Sequence, residues 1–242
     1  QGDPSAAAAA AIKLLGGMGR FVSAGATVLM KPNISFPNPE KWGSTTNPFV
    51  VRAVADLALQ AGAARVIVAD HTMRDSAQCF GVTGIAKAFE GDEKVRLIPL
   101  DNESLFREVS IAKGKALRTV KVAGLLERCS CVINLPCAKS HAATDVSFGL
   151  KNLMGLVWDR QHFHEGIDLH TGIAELATLI RPTLTILDAT RSLLTGGPTG
   201  PGKVLELHMI VAGTDPLGVD SYAMTLAAWN NRSLDAGSVP HL

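Results

Sequence analysis

Residues 131–155 read CVINLPCAKSHAATDVSFGLKNLMG, and this segment changes from apolar to polar near its centre. The apolar run from Cys131 to Leu135 predicts a buried strand. Pro136 has no backbone N–H to offer a sheet ladder, so the strand is predicted to end there. Binding sites of α/β proteins form at the carboxyl ends of such strands. The segment therefore predicts the location of the functional site.

Outside this segment, short apolar runs alternate with helical patterns. The predicted strands are residues 28–34, 64–69, 95–100, 131–135, 184–187 and 208–212. The predicted helices are residues 4–15, 47–61, 76–89, 123–128, 145–157, 171–180 and 216–229, and residues 106–122 are predicted to form a β-ribbon. A repeated strand-then-helix order is typical of parallel sheets with right-handed crossovers. The predicted fold is α/β, a mostly parallel or mixed sheet with helices on both faces in Rossmann-like layers.

The chain has 242 residues, enough for a single α/β domain, with a division into two subdomains near residue 125 as the alternative. A net charge of +1, from 23 basic and 22 acidic residues, argues against a nucleic-acid partner. No apolar window approaches 18 residues, so no transmembrane segment is expected. The first residue is Gln1, which leaves a cytoplasmic location and export after signal removal both open.

Basic and amide side chains gather where the predicted strands end. Lys139 and His141 lie two positions apart, so an extended backbone turns both to one side. Several cationic groups near one strand end suit a carboxylate or a phosphate, so a small anionic molecule is the expected partner. His141 is the predicted proton-transfer group, because an unperturbed imidazole titrates near neutrality. The catalytic candidates are His141 and Lys151, and the ligand-binding candidates here are Lys31, Asn33, Lys139 and Asn152.

Two aspartates complete the ligand-binding candidates. Asp215 precedes Pro216 at the start of a predicted helix, which is typical of an N-cap followed by a first-turn proline. Asp220 lies further along the same helix, where it is either a solvated residue or a part of the site.

A second polar segment, DRQHFHEGIDLH, covers residues 159–170. His162, His164 and His170 are metal-ligand types, but their spacing matches no standard zinc signature, and a solvated loop is the preferred interpretation. The four cysteines form neither a C-x2-C zinc pair nor a ferredoxin run, which favours buried thiols. No cofactor is assigned from these patterns.

Several motifs, taken in chain order, resemble domain-of-unknown-function family 362. They are VLMKPN (28–33), TTNP (45–48), VIVAD (66–70), NLPCAKSH (134–141), GLKNLMG (149–155) and AGTDPLGVD (212–220). The resemblance places all eight catalytic and ligand-binding candidates on positions similar to family motifs. It also implies an association with redox chemistry, because some members are fused to iron–sulfur ferredoxin modules. A fainter similarity, in the order of Lys/His and Gly-x-Lys motifs, links the chain to the nickel-pincer lactate racemase group.

Three functions follow as hypotheses. The first is a small-molecule enzyme that binds an anionic substrate or cofactor in the Lys/His/Asn pocket. The second is a redox-associated protein that holds a metal or an iron–sulfur cluster, alone or with a redox protein partner. The third is a non-catalytic subunit of a larger assembly.

Overall fold

A nine-stranded mixed sheet organises the chain in this computed structural model, which describes residues 2–242. The strands of these residues are β1 (Thr27–Pro32), β2 (Arg65–Asp70), β3 (Val95–Pro99), β4 (Phe106–Ser110), β5 (Thr119–Ala123), β6 (Cys131–Leu135), β7 (Cys137–His141), β8 (Asp145–Ser147), β9 (Leu184–Leu193), β10 (Val204–Leu205) and β11 (Met209–Gly213). Strands β4 and β5 form a separate antiparallel ribbon, which confirms the ribbon predicted over residues 106–122.

Nine α-helices connect these strands within residues 2–242. They are α1 (Pro4–Leu14), α2 (Pro48–Gln60), α3 (Ser76–Val82), α4 (Ile85–Ala88), α5 (Leu125–Arg128), α6 (Gly149–Asn152), α7 (Arg160–Glu165), α8 (Leu169–Leu179) and α9 (Pro216–Met224). Short 3-10 helices add Met18–Arg20, Glu40–Trp42, Glu103–Leu105, Leu153–Leu156 and Ala236–Ser238.

The central part of the sheet is parallel. Strand β1 pairs with β2 on one edge and with β6 on the other, β2 continues to β3, and β6 pairs with β9. Strands β10 and β11 pair with β9 in the antiparallel direction, and β8 pairs in that direction with β7. The sheet is therefore mixed and mostly parallel, which confirms the predicted fold class.

Each face of the sheet buries its own apolar core, because successive side chains of a strand point to opposite faces. Val28 and Met30 of β1 pack in a cluster with α1 and α2. Leu29, between them, packs in a second cluster with α8. Helices thus cover both faces, as predicted. Helix α9 contributes to a third cluster around Trp229.

Two predicted helix caps are present. The Asn47 side chain accepts a hydrogen bond from the Phe49 N–H at 2.9 Å, with Pro48 at the first helical position of α2. The Asp215 side chain accepts from the Leu217 N–H at 3.0 Å, with Pro216 in the same place in α9. Proline has no N–H to leave unsatisfied in a first turn, which is why both helices begin there.

Strand β6 ends at Leu135, so the predicted end of this strand at Pro136 is confirmed. Sheet structure nevertheless continues beyond the proline. The chain resumes as β7 immediately after this proline. The Pro136 carbonyl accepts a hydrogen bond from the Asp188 N–H at 2.8 Å, so the ladder to β9 continues through the acceptor that proline retains. Strands β6 and β7 thus follow one another along the same edge of β9, opposite β11. For the same reason β9 continues to Leu193, beyond the predicted end at residue 187.

The helix predicted over residues 145–157 is present only in part. Its first residues form β8, which pairs antiparallel with β7 in the register His141↔Asp145. A one-turn helix, α6, and the 3-10 turn Leu153–Leu156 follow it. The helix predicted over residues 76–89 is divided into α3 and α4 by Gly84, which has a φ of 82°. The helix predicted to reach residue 229 ends at Met224.

The sheet is continuous across residue 125, because β6 follows that position and pairs with β1, which precedes it. The division of the chain into domains stays a prediction. Among residues 2–242, no helix is both long enough and apolar enough to cross a membrane.

Candidate functional site

A cavity of about 270 Å³ brings together six of the eight predicted catalytic and ligand-binding residues. They reach it from three places in the fold: the end of β1, strand β7 and helix α6. These residues are Lys31, Asn33, Lys139, His141, Lys151 and Asn152. Their proximity follows from the parallel sheet, in which β1 and β6 end at the same edge and β7 continues beyond it. Ligand binding by these residues remains a prediction.

Lys31 is a buried and fully paired cation. Its Nζ lies 2.9 Å from Asp70 Oδ1, and it also donates to the Pro32 carbonyl at 2.6 Å and to Asn152 Oδ1 at 3.1 Å. Burial nevertheless lowers the pKa of Lys31, against the opposing effect of Asp70. The ion pair and the Lys31 hydrogen bonds join β1, β2 and α6, although among residues 2–242 Asp70 Oδ1 has no hydrogen bond beyond its ion-pair contact with Lys31. A Cβ at Gly155 would overlap both Asp70 and Lys31, so only glycine fits beside the pair.

Lys139 has polar neighbours but no counter-charge in contact. Its Nζ donates to the Ser44 carbonyl at 2.5 Å and to Asn33 Oδ1 at 3.3 Å, and it lies 5.4 Å from the centroid of the Phe36 ring. Burial lowers the pKa of Lys139. The neutral acceptors solvate the ammonium group without cancelling its charge, which leaves a positive potential in the cavity.

Lys151 is the least satisfied cation of the cavity. Only 7% of the residue is exposed, and its Nζ contacts the Met154 Sδ at 3.6 Å. A thioether is a weak acceptor, and within residues 2–242 this amine forms no hydrogen bond to an oxygen. Burial first, and then the charges of Lys139 and Arg160, lower the pKa of Lys151 to about 7. The amine therefore exists in both protonation states at neutral pH.

His141 is held as a neutral imidazole. The Ala143 N–H donates to its Nδ1 at 3.0 Å, so the ring proton of the neutral form is on Nε2. Burial, with Lys151 and Lys139 next, lowers the pKa of His141 to about 2. The prediction of His141 as a proton-transfer group assumed an ordinary imidazole pKa, whereas burial and the two lysines lower that pKa; proton transfer by His141 stays a prediction. A neutral His141 offers an N–H donor instead, in the manner of a neutral electrophilic histidine.

Arg160 also lines the cavity, and sequence reasoning did not identify it. One guanidinium nitrogen donates to the Thr72 carbonyl at 2.7 Å, whereas the buried Nε has no hydrogen-bond partner among residues 2–242. The sequence feature that points to Arg160 is its position in the polar segment 159–170. Among the residues of 2–242 that line the cavity, none is an aspartate or a glutamate. Apolar contacts come from Phe36, Met73, Met154 and Pro198.

The two predicted aspartates lie away from this cavity. Asp215 caps α9 and borders a separate cavity between α8 and α9. Asp220 is fully buried, and its two carboxylate oxygens accept from the Gly149 and Leu150 N–H groups at 2.7 and 2.8 Å. Asp220 therefore fixes the first turn of α6, which carries Lys151. Burial raises the pKa of Asp220 to about 7, although these two hydrogen bonds oppose the shift.

The three candidate metal-binding histidines are separated. His164 reaches the rim of the cavity, with its ring 6.4 Å from that of His141. His162 is exposed on α7, and His170 Nδ1 lies 2.8 Å from His241 Nδ1. In residues 2–242, no three His, Cys, Asp or Glu side chains are arranged to hold a metal ion. All four cysteines are buried free thiols: Cys79, Cys129, Cys131 and Cys137.

Comparison with known proteins gives one family and two similar proteins. The family model described as Domain of unknown function (DUF362) matches residues 28–225. The Thylakoid-associated protein sll1697 from Synechocystis sp. (strain ATCC 27184 / PCC 6803 / Kazusa) is 31% identical over 219 residues, which cover 85% of this chain and 64% of that protein. This chain thus spans less than two thirds of the length of that relative.

The architecture is also found among solved structures. The lactate racemase apoprotein from Thermoanaerobacterium thermosaccharolyticum superposes with a TM-score of 0.53 over 88% of this chain and 52% of that chain. The two sequences are 10% identical, so the likeness concerns the α/β fold alone.

Proposed function

The chain belongs to the family described as Domain of unknown function (DUF362), and we propose that it is a small-molecule enzyme acting on an anion bound among Lys139, Lys151 and Arg160. The observation that carries this proposal is a cavity lined by several cations and, among residues 2–242, by no carboxylate side chain. Buried charges without partners are costly, and a bound anion would supply the missing counter-charge.

The division of roles within the site follows from how well each cation is paired. Lys31 is neutralised by Asp70, so it organises the site rather than attracting a ligand. Lys139 and Arg160 make hydrogen bonds only to neutral acceptors and keep their charge for an anion. Asn33 and Asn152 hold the lysines in place through their side-chain oxygens.

Lys151 is the proposed proton-transfer group. A general acid or base works best when its pKa lies near the working pH, and the pKa of Lys151 is lowered to about 7. His141 would donate its Nε2 proton as a hydrogen bond to a substrate oxygen, since its imidazole stays neutral. With a substrate oxygen held by His141, Lys151 could transfer a proton at a position next to a carboxylate or a carbonyl group.

The test is thermal denaturation with small carboxylates and inorganic phosphate, compared with acetamide and benzamide as uncharged counterparts of acetate and benzoate. We expect at least one anion, but no amide, to raise the melting temperature. The variants Lys139→Ala and Lys151→Ala should each weaken this anion's binding by about 1.5–3 kcal/mol, the usual value of a hydrogen bond to a charged group. Lys113→Ala removes an exposed lysine outside the cavity and should leave the shift unchanged.

The pH dependence adds a second readout. An anion favours the protonated Lys151, so its affinity should fall as the pH rises through about 7, and Lys151→Met should abolish this trend. Equal stabilisation of wild type, Lys139→Ala and Lys151→Ala by the anions would place the anion elsewhere and overturn the proposal.

A further inference from the structure

We propose that Lys151 is a carbonyl-reactive amine, which forms an imine with a small 2-oxo carboxylate whose carboxylate group is held by Lys139 and Arg160. This inference rests on the proposed anion-binding function and narrows it to a substrate class and a covalent step. It follows from the surroundings of the Lys151 nitrogen and of the two neighbouring cations.

The first requirement is an amine with a free lone pair. Lysine becomes nucleophilic when it is desolvated or lies next to another cation, because both effects disfavour the ammonium form. Lys151 meets both conditions: 7% of it is exposed, and Lys139 and Arg160 are the charges that act on it. Within residues 2–242 the hydrogen-bond acceptor of this nitrogen is the Met154 sulfur, and a thioether is a weak acceptor that stabilises the ammonium form little. The lowered pKa, about 7, agrees with this geometry.

The second requirement is a place for a carboxylate beside that amine. Arg160 has a buried Nε with no hydrogen-bond partner among residues 2–242, and Lys139 has no carboxylate in contact. Because Lys139, Lys151 and Arg160 line the same cavity, an anion held by Lys139 and Arg160 would lie near the amine. A carbonyl carbon adjacent to the carboxylate would then lie near Lys151, which selects a 2-oxo acid.

The third requirement is a donor for the carbonyl oxygen. The neutral His141 ring carries its proton on Nε2, since Nδ1 accepts from the Ala143 N–H. That N–H can polarise the carbonyl group and stabilise the alkoxide formed on attack. The apolar residues Phe36, Met154 and Pro198 leave room for a short, uncharged substrate tail.

The step balances without an oxidant or a reductant. The neutral Lys151 nitrogen attacks the carbonyl carbon, and the electron pair of the C=O π bond moves to oxygen. A proton passes from nitrogen to that oxygen and gives a carbinolamine. The hydroxyl group then leaves as water with the remaining nitrogen proton, and a C=N bond forms. Amine plus 2-oxo acid thus gives imine plus water.

Reductive trapping tests this proposal. The full chain is incubated near neutral pH with pyruvate and sodium cyanoborohydride, and peptide mass spectrometry locates any N-carboxyethyl lysine. We expect modification on Lys151 well above that on exposed lysines such as Lys113, and no modification of the Lys151 peptide in Lys151→Met. Acetone presents a ketone without a carboxylate and should label Lys151 at least about tenfold more slowly, if one charge-assisted hydrogen bond is lost.

Variants of the carboxylate-binding cations give an independent arm. Lys139→Ala and Arg160→Gln should each reduce the rate of Lys151 labelling by pyruvate roughly tenfold to a hundredfold. The comparison of pyruvate with acetone needs only the wild type, so it decides the matter even if a variant fails to fold. Labelling spread evenly over exposed lysines, or equal rates with pyruvate and acetone, would overturn the imine. Stabilisation by pyruvate without Lys151 labelling would overturn it while leaving the proposed anion site intact.

Discussion

Lys151 shows how burial changes the chemistry of a common residue. Burial first, and then the charges of Lys139 and Arg160, make the charged form of its amine less favourable, and its hydrogen-bond acceptor is a thioether. Sequence reasoning could place Lys151 after a strand in a cationic cluster, because the motif itself is visible. It could not predict the pKa, because that depends on which side chains arrive from β7 and α7 and on how little solvent reaches them.

Lys151→Met is expected to flatten the pH dependence of stability at alkaline pH. The pKa of Lys151 is about 7 in the folded protein and 10.5 as an ordinary lysine, so the unfolded chain binds more protons between these values. The free energy of unfolding should therefore rise from pH 7 to 10.5 in the wild type, by roughly 3–5 kcal/mol from this group alone. Urea unfolding at several pH values, in both proteins, measures the difference in slope.

The titratable and charged neighbours of Lys151 are the same in the wild type and in the Lys151→Met variant. Lys139, Arg160, His141, His164 and His241 all act on Lys151 or respond to it, and all are retained in Lys151→Met. Lys113→Ala, which removes an exposed lysine, serves as the control and should keep the wild-type slope. A Lys151→Met protein with an unchanged slope would show that the fold does not lower the pKa of Lys151.

His141 marks the limit of residue-type reasoning. An isolated imidazole titrates near neutrality, and the sequence alone gives no reason to depart from that value. In the fold, burial and two lysines keep the ring neutral, so its contribution becomes an N–H donor rather than a titrating acid. Arg160 was not predicted, because its position in a polar segment does not reveal that α7 directs its side chain to the cavity.

At the scale of elements, α6 is a single turn that depends on a neighbour. A helix of four residues has almost no internal hydrogen bonding, so its free first-turn N–H groups need acceptors. Asp220 of α9 provides them from 71 and 70 residues away. Asp220 was predicted to bind ligand because the sequence does not reveal which segment a buried carboxylate contacts. The helix period, in turn, overestimated the length of the element around Lys151.

Asp220→Asn is expected to remove a pH dependence of opposite sign at acidic pH. The pKa of Asp220 is raised to about 7 in the fold from 3.8, so the folded protein binds more protons between these values. The contribution of Asp220 to stability is therefore present at low pH and lost as the pH rises through about 7. The asparagine side chain of the variant cannot titrate, and its amide group can accept only one of the two N–H donors. Urea unfolding between about pH 4 and 7 should show a flatter profile in the variant.

The effect of Asp220 on stability falls below about pH 7 and that of Lys151 above it, so the two effects can be measured separately. Asp75→Asn is the matched control, since Asp75 is an exposed cap of α3 and is not among the groups that shift the pKa of Asp220. It should leave the acidic slope in place. A wild-type slope in Asp220→Asn would mean that Asp220 is ionised throughout this window.

Strand β7 shows why element prediction failed around the site. Proline stops the donation of a hydrogen bond but not its acceptance, and the Pro136 carbonyl keeps the ladder to β9. Long-range pairing with β9 then extends the strand through Lys139 and His141. The strands of the parallel core were predictable from apolar runs, because both of their faces are buried. The segment 137–147 was not predictable, because its conformation depends on partners distant in sequence.

At the scale of the whole molecule, the site lies where two parts of the chain meet. β1 and β2 supply Lys31 and Asp70, and the segment after β6 supplies Asn152. The Asn152 amide donates to the Lys31 carbonyl and to Asn134 Oδ1, which connects α6 with both β1 and β6. The network is buried throughout, so each polar atom in it depends on the others. The stability of the fold and the shape of the cavity are therefore coupled through the Lys31–Asp70 pair.

A double-mutant cycle on Lys31 and Asp70 tests this coupling. Asp70→Asn keeps an oxygen for the Ile34 N–H, which now donates to Asp70 Oδ2 at 2.7 Å, but it leaves the Lys31 charge buried without a counter-charge. We expect a loss of about 3–5 kcal/mol in the free energy of unfolding. Lys31→Met should also be costly, because it leaves a buried carboxylate unpaired.

The double variant Lys31→Met/Asp70→Asn should be more stable than the sum of the single losses predicts, by about 1–3 kcal/mol, because it leaves no unpaired charge behind. Urea unfolding of all four proteins gives this coupling energy. Arg52 and Asp56 form a pair with a similar separation of 2.8 Å but more than a third of each side chain exposed, and they provide the matched control cycle. Solvent screening should limit its coupling to about 0.3–0.5 kcal/mol. A buried coupling no larger than that of the surface pair would mean that the Lys31–Asp70 pair does not stabilise the junction of β1 with β2.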